Sequence, residues 1–368
     1  MSLKPGILIL GKLPPPYMGP AIATQILLQS GLNNHFRLIH LDTRINPSLD
    51  SLGKWSIRKV VKSIQLYFRM LRICFTQKPE LILIPISQTS TGFLKDFIFI
   101  LIGKLSGRKI ILQLRGSNFV NWQSKSSSVM RAVVKTAMKC ANGIIVLGNN
   151  LRFIFKDYFP DERIFAIPNG GNFKIPERVK ANEEKVSLLF LANLFDAKGI
   201  RDVIDAIRIL NQQMKGRFTL DVVGKWLEEG TRNYCMKQIA DHELPVLVHE
   251  TTSGDEKMNY YASADIFIFT PREPEGHPWV IVEAMAAGLP IIATDKGAIT
   301  ESVINGANGF IVPDYDPQAI ADRLTLLIND ASLRKKMAAK SLEYYHEKFT
   351  EDKMVDNYVR CFNQLIQK

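Results

Sequence analysis

Short apolar runs alternate with amphipathic stretches along this chain, and the rhythm plays through twice. In the first half, runs rich in β-branched residues and leucine predict strands near Ile7–Leu10, Leu38–Leu41, Leu81–Ile86, Ile110–Leu114, Ile144–Leu147 and Ile164–Ile167. Helices are expected between them, beginning near Ala21, Ser56, Phe93, Ser127 and Asn150. The second half gives Val186–Ala192, a helix from Ile200, Phe218–Val223, a helix from Thr231, Val246–Val248 and a helix from Gly254. A buried strand Ala264–Thr270, a helix Pro278–Ala287 with proline in its first turn, and the apolar run Ile291–Ala293 follow. Gly288-Leu289-Pro290 stops that helix. Strands alternating with helices predict parallel sheets covered on both faces, so the fold class is α/β with two doubly wound domains. A polar stretch from Phe173 to Lys185 is the expected linker, and 368 residues exceed what one core usually supports.

Composition narrows the class. At 46% hydrophobic residues and a mean hydropathy near zero the chain is an ordinary globular protein. The longest apolar candidate, Phe93–Leu105, is broken by Lys95, Asp96 and Lys104, so no span of a bilayer is expected. The start is too short in apolar residues for a signal peptide. Cys74, Cys140, Cys235 and Cys361 show no metal or disulfide spacing, which points to a reducing cytoplasm.

Charge is divided unevenly. Residues 1–180 hold 26 Lys and Arg against 8 Asp and Glu, and the remainder 21 against 28, so a basic first half is joined to a mildly acidic second. From Ser51 to Pro79 there is no acid, while Lys54, Arg58, Lys59, Lys62, Arg69, Arg72 and Lys78 alternate with apolar and aromatic residues including Trp55, Tyr67 and Phe68. This basic amphipathic helix suits an anionic membrane surface, with Arg58, Lys59 and Lys62 facing it. A helix that merely packs on its sheet with a solvated basic face is the alternative. Nucleic acid is a third partner class, but no groove-reading or stacking module is recognisable, so none is expected.

Candidate chemistry centres on Glu275 and Glu283. Glu275 falls in a loop at the carboxyl end of a strand, where open α/β sheets bind ligands, and Glu283 lies about a turn into the following helix. That helix offers the N–H groups of Trp279, Val280 and Ile281 to an anion. Glu275-Gly276-His277-Pro278-Trp279-Val280-Ile281-Val282-Glu283-Ala284-Met285-Ala286-Ala287-Gly288 resembles, without a gap, the E-x7-E motif of retaining GT-B glycosyltransferases of family 4 (glycosyl transferases group 1), the family of bacterial polysaccharide and lipid-linked sugar transferases. The resemblance implies a GT-B fold of two Rossmann-like domains facing a cleft. An acceptor-binding domain would span 1–172 and a nucleotide-sugar domain 173–350, with the helix 351–368 crossing back to the first.

Other matches add expectations residue by residue. Pro14 to Pro20 joins the first strand to the first helix, where the family keeps a glycine-rich loop against the donor diphosphate; here only Gly19 survives. A proline-rich turn capping the helix is the competing reading of that segment. Ile167-Pro168-Asn169-Gly170 resembles the family's domain-boundary turn, with Gly170 expected in a left-handed conformation. Lys198-Gly199 matches the loop that carries cations onto the phosphates, but Asn193 stands where the family has arginine. Arg115, after strand Ile110–Leu114, is the expected substitute, able to hold phosphate or sugar hydroxyls bidentately. His277 is expected to approach the sugar through its backbone, with nothing to make it a base. Asp314-Tyr315-Asp316 spells the D-x-D of metal-dependent transferases, but its position before a helix predicts capping. No metal or cofactor is expected. A Walker A motif and G-x-G-x-x-G after the first strand are both lacking, which argues against an NTPase or dehydrogenase.

The expected function is therefore retaining transfer of a hexosyl group from a nucleotide-diphosphate sugar to a lipid-linked saccharide, in cell-surface polysaccharide synthesis. The expected place is the cytoplasmic face of the inner membrane, held peripherally. Glu275, Lys198 and Arg115 are the candidate catalytic residues. Gly19, Asn193, Gly276, His277, Trp279, Val280, Ile281 and Glu283 are the candidate donor-binding residues. A sugar-nucleotide epimerase of similar fold, and a basic nucleic-acid-binding protein, are the rival readings.

Overall fold

The computed structural model describes residues 4–15, 18–44, 57–177 and 184–367, with side chains from residue 60 onward in the helix Ile57–Thr76. The chain divides into two compact units, Met1–Gly171 with Glu351–Lys368, and Asn172–Thr350.

Unit 1 is built on six parallel strands: β1 (Gly6–Gly11), β2 (Arg37–Asp42), β3 (Leu81–Ile86), β4 (Lys109–Leu114), β5 (Gly143–Val146) and β6 (Ile164–Ala166). Their order is β2-β1-β3-β4-β5-β6. All six residues of β1 are buried, as expected of a strand covered on both faces. One face packs against the final helix, Glu351–Gln367: Ile7, Ile9, Leu83 and Ile111 meet Met354, Val355, Tyr358 and Phe362. Each such fully buried side chain contributes about 1.5–3 kcal/mol. Lys109 Nζ caps the carboxyl end of that helix through the carbonyls of Leu365 and Ile366, both at 2.9 Å.

Unit 2 repeats the plan with β7 (Val186–Leu191), β8 (Phe218–Val223), β9 (Val246–His249), β10 (Ile266–Phe269), β11 (Ile291–Thr294) and β12 (Gly309–Val312). The order is β12-β11-β10-β7-β8-β9, again parallel. Pleating divides β7 between two cores. Leu188 and Phe190 pack with Ile204, Ile207 and Leu324, whereas Leu189 and Leu191 join Phe267, Ile281, Met285 and Phe349 on the other face.

Several sequence expectations change in detail. β12 was not read as a strand. The segment after Asn149 is a 3-10 helix, Asn149–Phe155. Gly170 is not left-handed: among the described residues the glycines with positive φ are 107, 199, 216, 224, 254, 288, 297 and 306. Phe173, assigned to the linker, packs 6.4 Å from the Tyr345 ring within unit 2.

Candidate functional site

Three loops at the carboxyl edge of the unit 2 sheet meet because two glycines let them. After β7 the chain forms a turn, Asp196–Lys198, closed by Gly199 at φ +79°. A Cβ on Gly199 would lie 1.8 Å from the Thr270 carbonyl oxygen, so only glycine lets this loop cross the loop after β10. Gly297, after β11, has φ +59°, and a Cβ there would lie 1.9 Å from the Glu275 carbonyl oxygen. Ala298 N–H donates to the Gly276 carbonyl at 2.8 Å, propping the Glu275–Gly276 segment from below.

The consequence is an ion pair between Lys198 Nζ and Glu275 Oε1, with side chains 22% and 17% exposed. The ammonium also lies 5.6 and 5.7 Å from the Phe195 and Phe269 ring centres. Arg272, which the sequence reading missed, ties the same loops together. Its guanidinium meets Asp202 through two bonds of 2.8 and 2.6 Å and Asp196 at 2.6 Å, and its backbone N–H donates to the Ala197 carbonyl at 3.0 Å. The bonds to Asp202, above all, hold its pKa far above the usual arginine value. Tyr315 stacks on it at 4.4 Å. Asn193 sits on the β7 loop, part-buried.

The helix following Glu275 runs from Trp279 to Ala286, with Pro278 one residue before it rather than in its first turn. Ile281 N–H is not available to a ligand, because it donates to the Pro278 carbonyl at 3.2 Å. The N–H groups of Trp279 and Val280 have no acceptor among the described residues. Glu283 turns inward. It is 4% exposed and accepts from Lys257 Nζ at 2.6 Å and from Tyr261 Oη at 2.8 Å. Burial first, then the Glu283 charge, pushes the Tyr261 pKa well above its usual value. Lys257 and Tyr261 lie four positions apart on the helix Gly254–Ser263, a spacing that puts both on one face and was visible in the sequence. Gly276 is buried, and the His277 ring is sealed inside with Nε2 2.7 Å from Ser302 Oγ. Burial lowers the His277 pKa to about 3, so the ring is neutral.

The D-x-D segment does cap a helix: Asp316 Oδ1 accepts from Ala319 N–H at 2.9 Å. Asp314 pairs with Lys296 at 2.7 Å, and that bond holds its carboxyl below the usual range.

The structure thus pairs Lys198, on the loop after β7, with Glu275, on the loop after β10; Gly276 is held by Ala298 of the loop after β11, and Trp279 and Val280 open the helix that follows. Gly19 and Arg115 belong to unit 1: Gly19 is the exposed first residue of the helix Gly19–Gln29, and Arg115 follows β4. In the helix Ile57–Thr76, Leu66, Met70 and Cys74 are buried and the Tyr67 ring packs edge-on at 4.9 Å from Phe99. Tyr67 therefore faces inward, not toward a membrane. Val61, Ile64, Phe68, Leu71 and Phe75 form an exposed stripe, Phe68 at 68%, beside exposed Arg69 and Arg72 and part-exposed Lys62. Arg58 and Lys59 lie on the same helix, but their side chains, like Trp55, fall outside the described residues. Among the described residues no helix is long and apolar enough to cross a membrane.

The family described as glycosyl transferases group 1 matches residues 172–343. An uncharacterized glycosyltransferase of Methanocaldococcus jannaschii is 24% identical over 354 residues, covering 90% of this chain and 87% of that protein. The capsular polysaccharide biosynthesis glycosyltransferase CapM of Staphylococcus aureus is 25% identical over 274 residues, covering 70% and 71%. Among solved structures, sucrose-phosphate synthase from Thermosynechococcus elongatus superposes with a TM-score of 0.77 at 15% identity, covering 99% of this chain and 100% of that one. Anabaena HepE in complex with UDP-glucose gives 0.73 at 18% identity, covering 98% and 100%. Residues 172–343 thus match the glycosyl transferases group 1 family, and the chain has the two-unit α/β fold of its GT-B structural neighbours.

Proposed function

We propose that this enzyme moves a hexosyl group, with retention, from a nucleotide-diphosphate sugar held by unit 2 to a lipid-linked saccharide held by unit 1. The observation that carries this reading is the ion pair of Lys198 with Glu275, on a loop leading into a helix whose first N–H groups, at Trp279 and Val280, have no acceptor among the described residues. A departing nucleoside diphosphate gains negative charge, and a lysine with two fixed amide donors stabilises that charge without a metal ion. Glu275 accepts hydroxyls of the sugar, and its pairing with Lys198 keeps both groups in place before the donor arrives. Glu283, held by Lys257 and Tyr261, has lone pairs left to accept ribose hydroxyls. The His277 ring is sealed away, so its part is structural and its backbone alone is offered to the sugar.

No carboxylate is placed as a nucleophile among these residues, which favours front-face attack through an oxocarbenium-like ion pair. That HepE was solved with UDP and UDP-glucose, and that CapM serves capsular polysaccharide biosynthesis, supports a nucleotide-sugar donor and a role in cell-surface polysaccharide synthesis. The basic unit 1 and its exposed apolar stripe support peripheral attachment at the cytoplasmic membrane surface.

The test is transfer measured with a panel of nucleotide sugars. Glu275→Gln and Lys198→Met are each expected to lower transfer at least tenfold with unchanged circular dichroism, and a chelator is expected to leave the parent rate unaltered. Parent-like rates in both variants would remove the site assignment, and loss in chelator restored by magnesium would reopen Asp314 and Asp316.

A further inference from the structure

At the carboxyl edge of the unit 1 sheet, two adjacent strands hand over to polar groups that the protein leaves unsatisfied. β3 is followed by Ser87 and Gln88, and β4, its hydrogen-bonded neighbour, by Arg115 and Gly116. Arg115 Nε is buried without a hydrogen-bond partner, and among the described residues no carboxylate lies within ion-pair distance of its guanidinium. The acid at the end of the neighbouring strand is already engaged: Asp96 accepts from Ser87 N–H at 2.8 Å and pairs with Lys95 at 3.6 Å. Burial lowers the Arg115 pKa, and the Tyr358 phenol only partly opposes this.

Gln88 tells the same story. Its Oε1 is buried with no donor. Its amide lies directly over Gly116, where a Cβ would sit 2.3 Å from Nε2, so Gln88 is packed against the residue next to Arg115. Arg115 is half-buried, and a guanidinium N–H shut off from water without an acceptor is costly to keep, as is a buried amide oxygen without a donor. Both stand at the carboxyl ends of parallel strands, where open α/β sheets take their ligands.

We infer that this edge binds a hydroxylated anion: a phosphate or carboxylate accepts the forked donors of Arg115, and a hydroxyl of the same molecule donates to Gln88 Oε1. Sugar phosphates and uronic acids carry both groups. The inference rests on the proposal that unit 1 holds the acceptor, and it gives that acceptor a negative charge next to its hydroxyls. A guanidinium suits either anion because its planar fork matches two oxygens at once.

Calorimetric titration of the full chain with glucose 1-phosphate, glucuronate and glucose, each in saturating UDP, tests this. One or both anions are expected to bind beside UDP and neutral glucose to bind at least tenfold more weakly; the stronger anion separates phosphate from carboxylate as the group recognised. Arg115→Met should weaken anion binding at least tenfold without changing UDP affinity, and Gln88→Leu should weaken it severalfold. Should Arg115→Met fail to fold by circular dichroism, Arg115→Lys keeps charge and stem but loses the fork, and should still lose severalfold. Absence of anion binding beside UDP overturns the inference. So does an equal loss of UDP affinity in the Arg115 variants, which would put Arg115 with the nucleotide diphosphate. If neither UDP, GDP nor ADP binds, the proposed donor reading fails, while the same anion titrations without nucleotide still decide this one.

Discussion

Lys198 and Glu275 lie 77 positions apart, and each was legible in the sequence only as a member of its own loop. Their contact depends on the carbonyls of Thr270 and Glu275 lying against Gly199 and Gly297, a close approach that no local pattern encodes. Arg272 escaped notice for a related reason: an arginine after a strand reads as a solvated rim charge until the fold sets Asp196 and Asp202 around it. Glu283 is expected to accept ribose hydroxyls, and Lys257 and Tyr261 already occupy two of its acceptor sites. Removing one partner of so buried a pair leaves an uncompensated charge, so Lys257→Met is expected to destabilise unit 2 by about 3 kcal/mol or more. Urea unfolding would measure this, and the double variant Lys257→Met with Glu283→Gln should recover part of the loss; equal loss in both would show that the charge is not the cause. His277 supplies a pH dependence. Its folded pKa of about 3 lies below the ordinary value of 6.5, so between those values the unfolded state binds the extra proton. The stabilisation is complete above 6.5 and is lost as pH falls from there toward 3, at about 1.4 kcal/mol per unit once well below 6.5. Unfolding midpoints from pH 7.5 to 4.5 should show this slope in the parent and a shallower one in His277→Gln.

At the scale of elements, strands were the most legible part because parallel strands buried on both faces appear as unbroken apolar runs. β3 and β8 match their sequence reading to the residue, and the others differ at their ends by a residue or two, as hydrogen-bonded boundaries do. β12, Gly309–Val312, opens on glycine, a residue depleted in strands, and lies at the end of its sheet. The helix Ile57–Thr76 was legible as amphipathic, but its orientation was not. Apolar residues occur all round it, and only packing decides that Leu66, Met70 and Cys74 go inward while Phe68 and Phe75 stay out. The exposed stripe with flanking arginines is what anionic lipid would hold, at about 1 kcal/mol per basic residue near the surface. Phe68→Glu with Phe75→Glu should abolish the salt-resistant part of vesicle flotation. Replacing Arg58, Lys59 and Lys62 by glutamate should remove the salt-sensitive part, with UDP binding unchanged in both. Flotation equal to that of the parent in both variants would leave the stripe without a membrane role.

For the whole molecule, the doubled strand–helix rhythm made the α/β class readable from the pattern alone, and each unit closes its own core around its own parallel sheet. What the pattern did not carry is the division of labour between units, because that depends on which loops converge at each sheet edge. If unit 2 alone holds the nucleotide, ligand binding should be felt unevenly along the chain. A ligand at 100 times its Kd adds about 2.7 kcal/mol to the state that binds it. Hydrogen exchange with UDP should therefore show added protection at residues 194–200, 275–281 and 296–298, with β1 to β6 changing little. Lys198→Met should abolish that gain. Protection appearing instead in the strands of unit 1, or surviving undiminished in Lys198→Met, would move the nucleotide away from the Lys198–Glu275 pair and leave that ion pair as a contact that only shapes the loops.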